Sequence, residues 1–278
     1  MEKYKVRPPV VAGQFYSSSP EALKNQIKDF IPAGETEKIN AIACMLPHAG
    51  YMYSGAVAAQ TVNCVNIKNK IILLGPNHTG NGAPFSIMTD GAWQTPLGQV
   101  KIDQPLAEKI LKSSKYLEDD EEAQADEHSL EVELPILQYF RADFEIVPIA
   151  LLSNDVNALK EIGKGIARII LETNLQDSTL IVASSDMTHY EPQEQAQTKD
   201  AEAIKAILEL NGDKLMETIR RLDISMCGYA PAIAMLSAAR LLGAKNAKLI
   251  KYQTSGEITQ DMRSVVGYAG IIVYGRNK

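Results

Sequence analysis

The stretch AIACMLPHAGY (residues 41–51) joins an apolar, strand-sized run to a tight turn that carries a histidine. Residues 71–80 repeat this arrangement with a second histidine. A third apolar run, residues 180–183, leads to two more polar side chains, Asp186 and His189. In an open α/β sheet, ligands bind beyond the carboxyl ends of the strands. The three runs therefore predict one shared site at that edge, and their imidazoles favour a metal site.

Helix and strand signals alternate along the whole chain, which is typical of an α/β fold. Ser19 and Pro20 are an N-cap and a first-turn proline, Asp103 is a second N-cap, and Gly243 follows a helix end. The apolar periodicity predicts helices near 20–30, 54–65, 104–111, 155–172, 194–210, 212–221 and 230–242, and strands near 41–46, 71–75, 145–151, 179–184, 247–253 and 266–274.

These elements predict a single domain over residues 1–278, with three α/β/α layers around a mixed, mostly parallel sheet. Connections within 84–103 and 247–274 are only hairpin-length, so antiparallel strands are expected there. The acidic run 118–122 is interpreted as a solvated loop, and a short helix should follow His128.

Composition excludes several classes of function. The 278 residues are 45% hydrophobic and 22% charged, as in ordinary globular proteins. The net charge is −6 and the sequence has no long Lys/Arg block, which argues against a nucleic-acid surface. Apolar runs are far shorter than a membrane span, and the start lacks the apolar core of a signal peptide. We expect a cytoplasmic protein that binds neither nucleic acid nor membrane; the oligomeric state stays open.

The three cysteines do not suggest a disulfide framework, because their number is odd and the expected compartment is reducing. Cys44 and Cys64 lie in apolar patterns and are expected to be small core residues. Cys227 lies in the small-residue turn 225–229, just before a predicted helix. A helix N-terminus lowers the pKa of a thiol. Cys227 is therefore a candidate thiolate ligand, with a buried turn cysteine as the plainer alternative.

The polar residues at the strand ends suggest distinct roles. His48 and His78 occupy similar turns, bracketed by proline and glycine, that expose an imidazole; a histidine satisfied by turn hydrogen bonds is the alternative. Asp186 and His189 are spaced i, i+3 and would face the same way on a helical turn. Asp186 could then orient an imidazole, or merely cap a turn. His189 could serve as a general acid or base.

Four further side chains are expected to line the pocket around this site: His128, Tyr51, Tyr53 and Trp93. His128 stands between Asp126 and Ser129, which look like capping residues, so it would lie at the rim. Lone aromatic residues more often belong to a core than to a pocket.

Taken in order, these motifs resemble the Memo family, which is named for a mediator of cell motility in animals and is widespread in bacteria and archaea. No single motif is specific, but the ordered set is. The matching segments run almost the full length of the chain: residues 12–16 (AGQFY), 47–51 (PHAGY), 75–78 (GPNH), 95–98 (TPLG), 127–131 (EHSLE), 185–189 (SDMTH) and 227–228 (CG).

The resemblance implies a fold similar to that of class III extradiol ring-cleavage dioxygenases, which are non-haem Fe(II) enzymes with two histidines and one glutamate on the metal. His48 and His78 correspond to the two histidine ligands, and Cys227 falls where those enzymes supply the carboxylate. Asp186 and His189 correspond to the remaining polar wall. Two histidines and a thiolate form a softer site that also suits copper or zinc. The resemblance thus implies Fe(II) or copper binding and redox chemistry.

Three interpretations remain open at this stage. The first is a metal-binding, dioxygenase-like oxidoreductase of undetermined substrate. The second is a non-catalytic module that binds a small molecule or peptide in the same cleft. The third is a zinc hydrolase in which the metal activates water and His189 shuttles protons. Fe(II) on three protein ligands is readily lost in air, so the purified protein can be metal-free.

Overall fold

A computed structural model describes residues 5–275; the ends of the predicted domain, 1–4 and 276–278, lie outside the described residues. Strands and helices alternate as expected. The strands are β1 (Val6–Arg7), β2 (Ala41–Leu46), β3 (Lys70–Pro76), β4 (Phe85–Ile87), β5 (Ala92–Thr95), β6 (Gly98–Lys101), β7 (Glu118–Asp119), β8 (Glu145–Leu151), β9 (Thr179–Ser184), β10 (His189–Glu191), β11 (Asn246–Thr254) and β12 (Val265–Tyr274). The helices are α1 (Pro20–Phe30), α2 (Tyr51–Asn63), α3 (Gln104–Ser113), α4 (Glu122–Ala125), α5 (Glu133–Phe140), α6 (Val156–Glu172), α7 (Gln193–Leu208), α8 (Gly212–Leu222), α9 (Tyr229–Leu241) and α10 (Gly256–Thr259).

The main sheet has the strand order β10-β12-β2-β9-β3-β8-β4-β7. β11 also pairs with β12, on the edge of that strand opposite β2. Its centre, β2-β9-β3-β8, is parallel. β12 runs antiparallel to β2, and β4 runs antiparallel to β8. The α/β prediction is confirmed, but parallel pairing is confined mainly to the centre of the sheet. The connection from β11 to β12 is too short for the crossover that parallel neighbours need.

Helices cover both faces of the sheet. α2 packs on β2, β11 and β12 together with α1 and α5, whereas α9 packs on β2, β3, β8 and β9 together with α6 and α8. Two glycines of β12 show that the faces differ: a Cβ on Gly270 would meet Thr61 of α2, and one on Gly267 would meet Asp200 of α7. Residues at odd spacing on a strand point to opposite faces. The sheet is therefore the middle of three layers.

Two local predictions need correction. α2 begins at Tyr51 and not near Ser54, because Gly50 is the N-cap and the Tyr51 N–H donates to the Phe15 carbonyl (2.7 Å). The acidic run 118–122 is more than a solvated loop. It contains β7, which pairs with β4, and the Asp120 carboxylate accepts the Ala83 N–H (2.6 Å). A run of acidic residues predicts an exposed loop from its charge. When the carboxylates accept hydrogen bonds from nearby backbone N–H groups, however, the segment becomes ordered.

Within residues 5–275, no helix combines the length and apolar character that a bilayer crossing requires.

Candidate metal centre

Three neighbouring strands deliver the central side chains. His48, His78 and Asp186 each stand two residues beyond the end of a parallel strand, β2, β3 and β9 respectively. β9 lies between the other two, so both histidines reach across it, and their ring centroids are 5.1 Å apart. The carboxyl ends of parallel strands share one edge of the sheet. The strand order therefore brings His48, His78 and Asp186 together at one edge of the sheet, as expected.

Two glycines allow other segments to close on this edge. A Cβ on Gly228, before α9, would lie 2.3 Å from the Ser184 carbonyl oxygen, so only glycine lets this turn bring Cys227 against β9. A Cβ on Gly75 in β3 would lie 2.6 Å from Ser129 Oγ. Cβ atoms do not tolerate such distances, and glycine is the residue that permits close backbone approach. These contacts bring the segments that follow Asp126 and precede α9 into the site.

The possible ligand atoms of His48, His78 and Cys227 lie within 4.8 Å of one another. His48 Nε2 is 3.3 Å from Cys227 Sγ. Tetrahedral bonds of about 2.0 Å to nitrogen and 2.3 Å to sulfur separate neighbouring ligand atoms by roughly 3.3–3.6 Å. This donor set therefore fits one metal ion after small side-chain rotations, and two imidazoles with one sulfur suit a soft or borderline metal.

His48 is held on three sides and is 2% exposed. Its Nδ1 is 2.7 Å from Ser184 Oγ, its backbone N–H donates to Asp186 Oδ1 (2.9 Å), and its Nε2 faces Cys227. Burial, with smaller contributions from the other three histidines, lowers the pKa of His48 well below its usual value. His48 is therefore neutral at physiological pH, which is the form that binds metal.

His78 is oriented by Glu127, a buried residue that the sequence presented only as part of a motif. The Glu127 carboxylate accepts the His78 Nδ1–H (2.9 Å), the His78 backbone N–H and the Ser129 N–H (2.8 Å). Burial alone would raise the pKa of Glu127, but the hydrogen bonds and charge of His78 outweigh it and lower the pKa to about 2. Carboxylates commonly fix ligating imidazoles in this way.

His128 belongs to the same cluster and not simply to its rim. Its ring stacks on His78 with centroids 4.7 Å apart, and its Nδ1 is 3.5 Å from Glu127. His78, Glu127 and His128 also form a grouping close enough to hold a metal. Because the Glu127 oxygens already accept three N–H groups, we assign Glu127 to orienting His78.

Asp186 and His189 do not share a helical turn, as their spacing suggested. Residues 185–188 are irregular and His189 begins β10. Asp186 binds the His48 backbone and orients no imidazole through its side chain. Burial raises the pKa of Asp186 to about 7, against the opposing hydrogen bonds from His48 and Ala49. His189 lines the cleft, and because its Nδ1–H donates to the Ser225 carbonyl (2.9 Å), Nε2 is the nitrogen available to a ligand.

The prediction of a low thiol pKa for Cys227 is wrong for the metal-free protein. Burial, followed by the charge of Asp186, raises the pKa of Cys227. The residue lies just before Gly228, the N-cap of α9, but desolvation outweighs that helix terminus. The Cys227 Sγ lies 3.3 Å from His48 Nε2, and a cation bound between these two atoms would displace the thiol proton.

A cleft of about 1290 Å³ opens above these residues. Tyr53 lies on its wall, together with Phe15, Met52, Tyr190 and Tyr268. No lysine or arginine occurs among the described residues that line it. The cleft therefore offers aromatic surface and imidazoles, without a fixed cationic side chain to recognise an anion.

The pocket predictions for Tyr51 and Trp93 are wrong. Tyr51 is 1% exposed in the core, where its hydroxyl donates to the Val132 carbonyl (2.7 Å). Trp93 is fully buried under the Arg7 guanidinium, whose carbon lies 4.1 Å from the ring centroid. Both rings are buried because neighbouring segments pack over them, and large aromatic residues are commonly buried in this way.

Sequence comparisons agree with the motif pattern. The profile of the family described as "Memo-like protein" matches residues 7–272. A MEMO1 family protein of Methanocaldococcus jannaschii is 44% identical, with 97% of this chain and 99% of that protein covered. Relatives of the same description from Methanopyrus kandleri and Aquifex aeolicus are 40% and 43% identical; the match covers 96% of this chain in both cases, and 98% and 99% of the relatives. The chain belongs to the Memo family.

Proposed function

We propose that this protein binds Fe(II) or copper through His48, His78 and Cys227 and carries out dioxygenase-like redox chemistry on a small molecule or peptide in the cleft. The observation that carries the proposal is the convergence of three metal-binding side chains from distant segments, with Glu127 and Ser184 already bound to the ligand imidazoles. Ligands supported in this way are typical of metal centres. Three unpaired cysteines also suit a reducing cytoplasm.

The residues of the chain would divide the work. A bound Fe(II) or copper ion would supply redox chemistry and open coordination positions. Glu127 holds the His78 ring, and Asp186 holds the His48 backbone. His189 lines the cleft with its Nδ1–H bound to the Ser225 carbonyl, so Nε2 is the nitrogen that would take a proton from a ligand or return one. Phe15 and Tyr53 offer aromatic contact area and help to keep water from the ligand.

Zinc is the second candidate, because two neutral histidines and one cysteine leave a fourth position open, as in catalytic zinc sites. His189 would then act on a metal-bound water. The third candidate is binding of a peptide or small molecule without turnover. The cleft volume of about 1290 Å³ exceeds that of most small-molecule sites and is large enough for a peptide segment.

The proposal is tested by anaerobic titration of the metal-free protein with Fe(II), Cu(I) and Zn(II), followed by calorimetry and elemental analysis. We expect one equivalent of metal to bind and protons to be released, because the Cys227 thiol must lose its proton. Affinity should therefore rise with pH. Redox turnover of a metal-loaded protein distinguishes the iron or copper interpretation from zinc. If none of these metals binds stoichiometrically, the proposal fails and the binding-module interpretation is favoured.

Glu127→Gln should weaken metal binding about 10- to 100-fold while the fold persists, because an amide cannot accept all the N–H groups that now hold His78. Calorimetric titration beside thermal melts measures both effects. Glu145→Gln is a suitable control, since this half-exposed carboxylate lies in β8 and is remote from His78. Equal affinities for the Glu127 variant and the parent would show that this carboxylate does not support the ligand.

A further inference from the structure

Ser184 Oγ lies at the centre of three short contacts beneath the candidate metal site. It is 2.7 Å from His48 Nδ1, 2.7 Å from Glu133 Oε1 and 2.8 Å from the Ser129 carbonyl oxygen. All of these groups are buried, and Glu133 is fully buried. Neither Ser184 nor Glu133 is part of the set that would touch a metal or a ligand in the cleft.

The three contacts of Ser184 Oγ determine which of the contacting groups carry protons. A hydroxyl has one proton to donate and two lone pairs with which to accept. A carbonyl oxygen only accepts, so the contact with Ser129 uses the Ser184 proton. The other two contacts are then hydrogen bonds only if His48 Nδ1 and Glu133 Oε1 both carry protons and donate to Ser184. This assignment alone satisfies all three contacts.

The surroundings of Glu133 agree with a neutral acid. Its second oxygen, Oε2, is buried and has no hydrogen-bond partner among residues 5–275. An unpartnered oxygen is far more costly on a buried carboxylate than on a neutral carboxyl group. Burial raises the pKa of Glu133 well above its usual value. The nearby Asp186 carboxylate adds to this effect.

We propose that Glu133 is a positioning residue that stays protonated and, through Ser184, fixes His48 with its proton on Nδ1 and its lone pair on Nε2. The role of this tautomer rests on the proposed metal function, because Nε2 is the nitrogen that faces Cys227 and would bind the metal. A neutral imidazole can carry its proton on either nitrogen, and the hydrogen bond at one nitrogen decides which form ligates. The wrong tautomer would place an N–H where the metal must bind.

The rival interpretation is that Glu133 is ionised and stabilises positive charge in the site. The protonated and the ionised Glu133 predict different effects of the Glu133→Gln substitution. A glutamine at this position would remain neutral and keep an N–H donor for Ser184, so the proposed role survives Glu133→Gln. A role that depends on negative charge does not. Glu133→Leu removes the hydrogen bond to Ser184 under either interpretation.

The test reads the tautomer directly in the metal-free protein. With ¹⁵N-histidine labelling and assignment through His48→Gln, we expect a protonated Nδ1 and an unprotonated Nε2 at His48. Infrared difference spectra between the parent and Glu133→Gln should contain the C=O stretch of a buried carboxylic acid. Glu133→Gln should retain the tautomer and bind Zn(II) within about twofold of the parent. Ser184→Ala should give mixed tautomers and about 10- to 100-fold weaker binding.

Controls separate this role from a structural one. Ser86→Ala removes another fully buried hydroxyl with two hydrogen bonds, far from His48, and should alter thermal stability without altering the His48 resonances. A protonated Nε2 at His48, or a carboxylate band in place of the acid band, would overturn the proposal. Because these readouts need no metal, failure of metal binding in the parent would refute the proposed function while leaving the tautomer assignment to its own result.

Discussion

Cys227→Ser is expected to bind Cu(I) and Zn(II) at least about a hundredfold more weakly than the parent, because a hydroxyl replaces the one sulfur ligand of the set. The fold should persist, since serine fills the same turn beside Gly228. The effect should be smaller for Fe(II), which depends less on a soft ligand. Competition titrations with a chelator of known affinity measure the loss, and thermal melts without metal monitor the fold.

Cys64→Ser is the matched control, because Cys64 is also partly buried but caps the end of α2 away from the cleft. Cys44→Ser tests a fully buried cysteine, and its cost should appear in stability and not in metal affinity. Cys227→Glu would restore two histidines and a carboxylate and should shift preference toward Fe(II) if the longer side chain fits. Unchanged copper affinity in Cys227→Ser would mean that the site must be rebuilt around His48, His78 and His189.

Arg7→Met is expected to destabilise the protein by about 3–5 kcal/mol, because it leaves the charge of Glu131 buried without its partner. The Arg7 and Glu131 side chains are 5% and 1% exposed, and they meet at 2.7 Å. The other guanidinium nitrogens donate to the Gln124 carbonyl (2.7 Å) and the Glu127 carbonyl (2.6 Å). Urea unfolding of the metal-free variant and parent measures the change in the free energy of unfolding.

Loss of Arg7 should also reach the metal site, since Arg7 holds the backbone of Glu127, which in turn orients His78. We expect weaker zinc binding even at temperatures where the variant is folded. Lys160→Met is the control for charge removal, because Lys160 pairs with the mostly exposed Asp213 and should cost no more than about 1 kcal/mol. Equal destabilisation by both variants would show that the buried pair has no special role.

The EHSLEVE segment (residues 127–133) illustrates how three similar residues acquire different roles. Glu127 orients His78. Glu131 accepts hydrogen bonds from Arg7, from the backbone of Val10 and Val11, and from Tyr16, and so anchors the segment that forms one cleft wall. Glu133 lies beneath Ser184. The sequence spacing offered no way to tell these carboxylates apart, because their roles depend on which distant segment packs against each one.

Local patterns in the sequence were enough to predict the alternating helices and strands, the helix caps at Ser19 and Asp103, and the delivery of His48 and His78 to strand ends. Period, capping and turn chemistry act over a few residues, so they can be seen in a single chain. The sequence also predicted that His48 and His78 lie at the same edge of the sheet, because parallel strands align their carboxyl ends.

The three-dimensional packing was needed to show which groups are buried and which partners they meet. Cys227 approaches His48 from 179 positions away in the chain, and burial there raises its pKa where a helix terminus alone would lower it. Burial likewise removed Tyr51 and Trp93 from the cleft. Desolvation and hydrogen-bond partners depend on the packing of distant segments, and these two effects set the protonation of His48, Glu127 and Cys227.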